Sequence, residues 1–148
     1  MNLKTWLAAH LAGKNPELDL SPDEQDIHGI TLVAAIKAHD AWIEQLNKTM
    51  REGEQIDPQI VGSDHLCAIG EWMDGKAQEI SELKEFAKLA AAHKAFHQCA
   101  ERVLQLHNEQ KFSDALILLR NEFVEDSKQV KSALVALLLA YQMKKDRL

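Results

Sequence analysis

Proline, glycine, cysteine and aromatic residues are all scarce in this chain. Its 148 residues include 3 Pro, 6 Gly and 2 Cys, and aromatics make up 5%. Few prolines and glycines leave long stretches without a helix breaker. Two cysteines and no signal-peptide pattern point to a reducing compartment, so a cytoplasmic location is expected. The longest apolar run, Ala133 to Tyr141, falls far short of the ~20 residues a membrane span needs. Basic stripes are missing as well. The formal net charge is −6, and Lys and Arg are scattered except for Lys144-Lys145-Asp146-Arg147. Nucleic-acid binding needs clustered cations to meet phosphates, so neither a nucleic acid nor a membrane is an expected partner. The basic tail reads as a helix end that complements the helix dipole.

What the chain does have is a hydrophobic content of 46% and many strong helix formers, Ala, Leu, Glu, Lys and Gln. The expected fold class is all-α: an antiparallel four-helix bundle, with an extra short N-terminal helix and a short helix carrying a cysteine word. Residues 1–20 are read as an N-terminal helix (about Leu3 to Leu11) and linker, and residues 21–148 as the bundle. Ser21, Pro22 and Glu24 form a capping-box start, from which a first long helix is expected to run to about Met50. Gly53 to Gly62, with Asp57-Pro58, reads as a loop. A short helix is expected over Asp64 to Met73, stopped at Asp74-Gly75, with Asp64 as its cap or, alternatively, as a hydrogen-bond partner of a ligand histidine. Ser81 is expected to cap a long helix to about His107. Lys111 to Ser113 read as a turn before a last helix from Asp114 to Lys145, bent near Asn121.

Apolar residues recur in steps of three and four on each long segment, the mark of one buried helix face. Leu32, Ile36, His39, Ile43, Leu46 and Met50 form one stripe. Phe86, Ala90, His93, His97, Ala100 and Leu104 form the next, and Leu116, Leu119, Phe123, Ser127, Val130, Leu134, Leu137 and Tyr141 the last. Three histidines therefore fall on inward faces, where an unpaired polar group is costly. His93 and His97, four apart, project from successive turns of the same face. The stretch Leu134 to Ala140 is apolar on more than one face, which implies a second buried surface. A symmetric homodimer is the expected explanation, and cover by the N-terminal helix with Trp6 is the other.

Three short words collect the chemistry: His39-Asp40-Ala41-Trp42, Cys67-Ala68-Ile69-Gly70-Glu71-Trp72 and His93-Lys94-Ala95-Phe96-His97. Together they offer three imidazoles and one thiolate, a full tetrahedral set for Zn²⁺. The words, in this order, resemble the chemoreceptor zinc-binding (CZB) domain family across about Ile27 to Tyr141. Its pattern is a His and an aromatic on the first helix, Cys-x-hydrophobic-Gly-x-aromatic in the middle, and His-x-x-x-His on the third helix. Carried over residue by residue, the resemblance implies zinc ligation by His39, Cys67, His93 and His97. It also implies a sensor in bacterial signal transduction, responding to zinc or to oxidants such as hypochlorous acid. Such domains usually accompany a chemotaxis or cyclic-di-GMP output module, and this chain has no room for one. A stand-alone sensor or a domain of a longer protein is expected, with the Met1 start favouring the former, and a signalling protein as partner.

The remaining candidates read as structural. Gly70 should allow a close helix approach, with Trp42 and Trp72 packing around the site. Cys99, two past His97, points off the ligand face. His10, His28, His65 and His107 read as surface or boundary residues. Ser127 is expected to bond back to its own helix, with a bond toward the metal cluster as the alternative. A closed four-ligand site keeps no open position for water or substrate, so no enzyme is expected. The competing reading is a structural zinc module without a sensing role. A di-iron bundle of the hemerythrin type needs more inward His and acidic residues than the sequence offers.

Overall fold

The computed structural model describes residues 2–146; Met1, Leu148 and Arg147 of the basic tail lie outside them. Helix α1 (Leu3–Leu11) is capped by the Asn2 side chain, which accepts from the Thr5 amide. A short α2 (Pro22–Gln25) follows, and then α3 (Leu32–Arg51), α4 (Pro58–Gly62) and α5 (Ala68–Asp74). A 3-10 turn, Lys76–Ile80, leads into α6 (Lys84–Asn108), α7 (Phe112–Arg120) and α8 (Glu122–Asp146).

Several boundaries differ from the sequence reading. The capping box at Ser21 and Glu24 forms, but its helix stops at Gln25. His28 and Gly29 then adopt left-handed φ values of 50° and 109°, and Asp26 accepts the Gly29 amide. Thr31 restarts the chain as α3 by accepting from the Ala34 amide. The expected loop around Asp57-Pro58 contains α4, because Asp57 caps it through the Gln59 amide and Pro58 takes the first turn. Ser81 does not cap α6. Its hydroxyl donates to the Gln78 carbonyl, and the helix begins behind Leu83 without a side-chain cap. The break at Asn121 is present and separates α7 from α8. It also shifts the phase of the apolar stripe, so Ala115 is buried while Leu116 is 42% exposed.

Contact pairs fix the packing. Phe96 stacks on Phe123, and Glu82 pairs with Lys144, so α6 and α8 run antiparallel. His39 meets Ser127 and Asp40 meets Lys131, while His28, just ahead of α3, meets Tyr141, so α3 is also antiparallel to α8. Helices α3 and α6 therefore run the same way, because the long segment between them returns the chain to the starting end. Helix α4 packs on α6, and α5 on α3. Helix α1 lies against α8 with Trp6 buried. His10 stacks on Trp6 and accepts from Lys131 Nζ at 2.9 Å, which ties α1 to α8. Leu134, Val135, Leu137 and Leu138 are all buried inside the chain. Among the described residues, no helix is long and apolar enough to cross a membrane.

Candidate metal centre

Helix α6 supplies two imidazoles from one face. His93 and His97 are each 1% exposed, and their rings stand almost perpendicular with centroids 4.6 Å apart. Their Nε2 atoms lie 3.2 Å from each other. Cys67 brings its Sγ to 3.1 Å from His93 Nε2, and the three donor atoms all lie within 4.8 Å of one another. In a tetrahedral zinc site, bonds of about 2.0–2.3 Å place neighbouring donors roughly 3.3–3.6 Å apart. The two separations from His93 Nε2, 3.1 and 3.2 Å, are only slightly tighter than that, so the residues fit the metal.

Orientation is set by neighbours. The His97 ring donates from Nδ1 to the Val61 carbonyl at 2.9 Å. A carbonyl only accepts, so the Nδ1 hydrogen is fixed there and Nε2 keeps its lone pair for a metal. Val61 lies on α4, and this explains how an unanticipated helix enters the site. Its start signal, Asp57 followed by Pro58, was present in the sequence.

Cys67 caps α5 with its own sulfur, which accepts from the Gly70 amide at 3.3 Å. Asp64, expected to be the cap, instead contributes its backbone. A Cβ on Gly70 would sit 2.0 Å from the Asp64 carbonyl oxygen. Only glycine allows that approach, and the approach is what turns Cys67 toward α6. Trp42 packs at the centre as expected, its ring meeting the His97 ring edge-on at 4.7 Å, whereas Trp72 is buried with its indole N–H on the His28 carbonyl.

His39 is 4% exposed on α3, with its ring 4.5 Å from that of Phe96. Its Nε2 lies 2.8 Å from Ser127 Oγ on α8, so Ser127 bonds across to the site rather than only to its own helix. His39 does not fall within the three-donor cluster. It does share with Cys67, Trp42 and His97 the wall of a void of about 10 Å³. That volume is about one water-sized sphere.

Burial keeps the imidazoles neutral, the form a metal requires. Desolvation, with Lys131 nearby, lowers His39 to about 3. Desolvation and then the neighbouring His97 lower His93 to about 4. His97 is lowered by burial, against the opposing pull of its Val61 bond. Burial pushes the Cys67 thiol up, partly offset by backbone amides at the start of α5. Zinc would have to displace that proton, and its charge would favour the thiolate.

The other candidates lie elsewhere. Cys99 is buried off the ligand face beside Asp126 and Glu122, and burial plus those carboxylates push its thiol up to about 12. His65 is exposed and bonds to Asp74 at 2.8 Å. His28 exceeds its expected role, as it joins Glu79 and Tyr141.

No curated protein and no solved structure matches the chain. Cys67, His93 and His97 form a group that could hold a metal ion. Residues 39–104, which begin at His39 and contain Cys67, His93 and His97, match the family model of the chemoreceptor zinc-binding domain.

Proposed function

We propose that this protein is a cytoplasmic zinc-binding sensor of bacterial signal transduction, with a site of His39, Cys67, His93 and His97 that responds to zinc, to oxidants, or to both. The observation that carries this reading is the placement of Cys67. A lone sulfur at the exposed edge of the cluster shares it with two imidazoles closed off from solvent. When bound, zinc would hold that sulfur as thiolate and link α5 to α6. Hypochlorous acid would convert the thiolate to a sulfenic acid with release of chloride, which removes a ligand. His39 completes the set in this reading. Support for it comes from its burial, its neutral ring and its share in the void beside Cys67 and His97. Four protein ligands leave no position for substrate, so the reading includes no catalysis.

A signalling partner would read the position of the helices that share ligands. A homodimer also belongs to the proposal. Its support is the exposed apolar surface at Phe112, Leu116 and Ile117 on α7, together with Leu139 and Met143, which α1 and the rest of the chain leave exposed on α8.

Native mass spectrometry with and without chelator tests the reading, followed by stoichiometric hypochlorous acid. One zinc per chain, lost upon chelation and upon oxidation of Cys67, is the expected result. A chain that binds no zinc overturns the site, and a zinc content unchanged after Cys67 is oxidised overturns the redox half. The same spectra report dimer or monomer. A structural zinc module is the second reading, favoured by the closure of His93 and His97 from solvent. Zinc that never exchanges on cellular timescales, together with unfolding on its removal, would establish it.

A further inference from the structure

The loop between α2 and α3 touches both the cysteine-bearing helix and the far end of α8. Trp72, near the C-terminal end of α5, donates from Nε1 to the His28 carbonyl at 3.1 Å. The His28 ring faces outward from the same residue and makes two further bonds. Its Nε2 lies 2.6 Å from the Glu79 carboxylate, and its Nδ1 lies 3.2 Å from the Tyr141 hydroxyl. A carboxylate only accepts, so Nε2 carries the hydrogen, and in the neutral ring Nδ1 accepts from the tyrosine O–H. The next residue of α8, Gln142, donates its amide to the Asp26 carbonyl at 3.2 Å. Two consecutive residues of α8 thus grip a loop that α5 grips from the other side.

The loop is held in an unusual shape. His28 has a φ of 50°, in the left-handed region that side chains with a Cβ seldom occupy. An antiparallel bridge between Asp26 and Thr31 closes it, and the Ile27 side chain at its base is fully buried. Such a loop has little freedom to absorb a movement of Trp72 without passing it on.

We propose that this loop is a latch, through which the helix carrying Cys67 positions the C-terminal end of α8. The route runs from Cys67 along α5 to Trp72, through the backbone and ring of His28, to Tyr141. It rests on the reading of Cys67 as a zinc ligand, because zinc is what would fix the position of α5. Loss of the metal–sulfur bond would loosen α5, and the latch would release Tyr141 and Gln142 together. Coupling of this kind is reciprocal, so breaking the latch must in turn weaken zinc binding.

Hydrogen exchange read by mass spectrometry on the full chain, with zinc and with chelator, tests the latch alongside Tyr141→Phe and His28→Asn. Phenylalanine keeps the ring and loses only the hydroxyl, and asparagine tolerates the left-handed backbone but is too short to bridge Glu79 and Tyr141. In the wild type, chelator should raise exchange in residues 68–74, 26–31 and 134–146 together. In either variant, 134–146 should already be raised with zinc bound and should no longer respond to chelator. Zinc affinity, from competition with a chromophoric chelator, should fall at least about fivefold with one zinc per chain retained. A wild type in which chelator raises 68–74 but leaves 134–146 unchanged overturns the latch, as do variants with unaltered zinc affinity. A wild type without bound zinc, in which 68–74 does not respond at all, overturns the site reading instead.

Discussion

His93 and His97 stand on a helix of 25 residues and are closed to solvent, whereas Cys67 opens a helix of 7 and remains half-buried. The two sides of one site are built from different physics. Helix α6 is long enough to bury a full stripe, and each histidine is held in register by turns above and below. Helix α5 is too short to persist by itself. Its place depends on tertiary contacts: the Gly70 approach to Asp64, the sulfur cap and the burial of Trp72 and Met73. A site that joins a rigid side to a dependent one can be opened at one edge without dismantling the other.

The comparison can be broken most severely at Gly70. Gly70→Ala drives a methyl into backbone, so it should cost about 3 kcal/mol and abolish zinc retention. Gly62→Ala on α4 meets side-chain atoms of Glu101 rather than backbone and should cost less than Gly70→Ala. Urea titration and zinc analysis of both variants check the contrast. Equal costs would show that α5 does not depend on the Asp64 contact.

Removal of single ligands separates the two sides next. His97→Ala leaves a cavity and an unpaired Val61 carbonyl, so chelated protein should lose about 2–3 kcal/mol. Cys67→Ala in chelated protein should lose about 1 kcal/mol or less, because the site is half-buried. Both should weaken zinc by more than the roughly 10–100-fold typical of losing an orienting partner. Equal stability losses in the chelated state would erase the distinction between rigid and dependent sides.

Acid should act on the histidine side alone. His39, His93 and His97 titrate below their ordinary value of 6.5 in the folded chain, the first two at about 3 and about 4. Between 6.5 and those values the unfolded chain binds more protons, so stability is full above 6.5 and falls as the pH drops toward 4. The slope is at most about 1.4 kcal/mol per pH unit for each group. Denaturation of chelated protein across pH 4–8 measures it. His93→Ala should flatten the slope, and Cys67→Ala should leave it unchanged. The smallest effect belongs to His65→Ala. Its ring is exposed beside Asp74, so its loss should leave the urea midpoint where it was.

Much of this was readable from the residues. The 3-4 apolar spacing placed His39, His93 and His97 on inward faces, and all three are buried. The capping box at Ser21 formed, and the break at Asn121 occurred. The long helix expected from Ser21 to Met50 failed at His28 and Gly29, because a left-handed turn held by distant partners overrode a helical pattern. The cap of α5 was misassigned because a cysteine is not an expected cap, and the choice depended on how closely Gly70 approaches Asp64. Val61 could not be found as the partner of His97, since a backbone carbonyl carries no signature in a sequence.

The sequence by itself determined the all-α class, the inward faces of the three histidines and the donor chemistry, because periodicity and side-chain type are local properties. Tertiary structure decided which donors meet: Cys67, His93 and His97 converge, while His39 stands beside them with Nε2 toward Ser127. It also decided that α1 packs on α8, and that one loop joins α5 to the end of α8. The reason is physical. Direction around a helix axis is set within a few residues, but distance between two helices is set by everything packed between them.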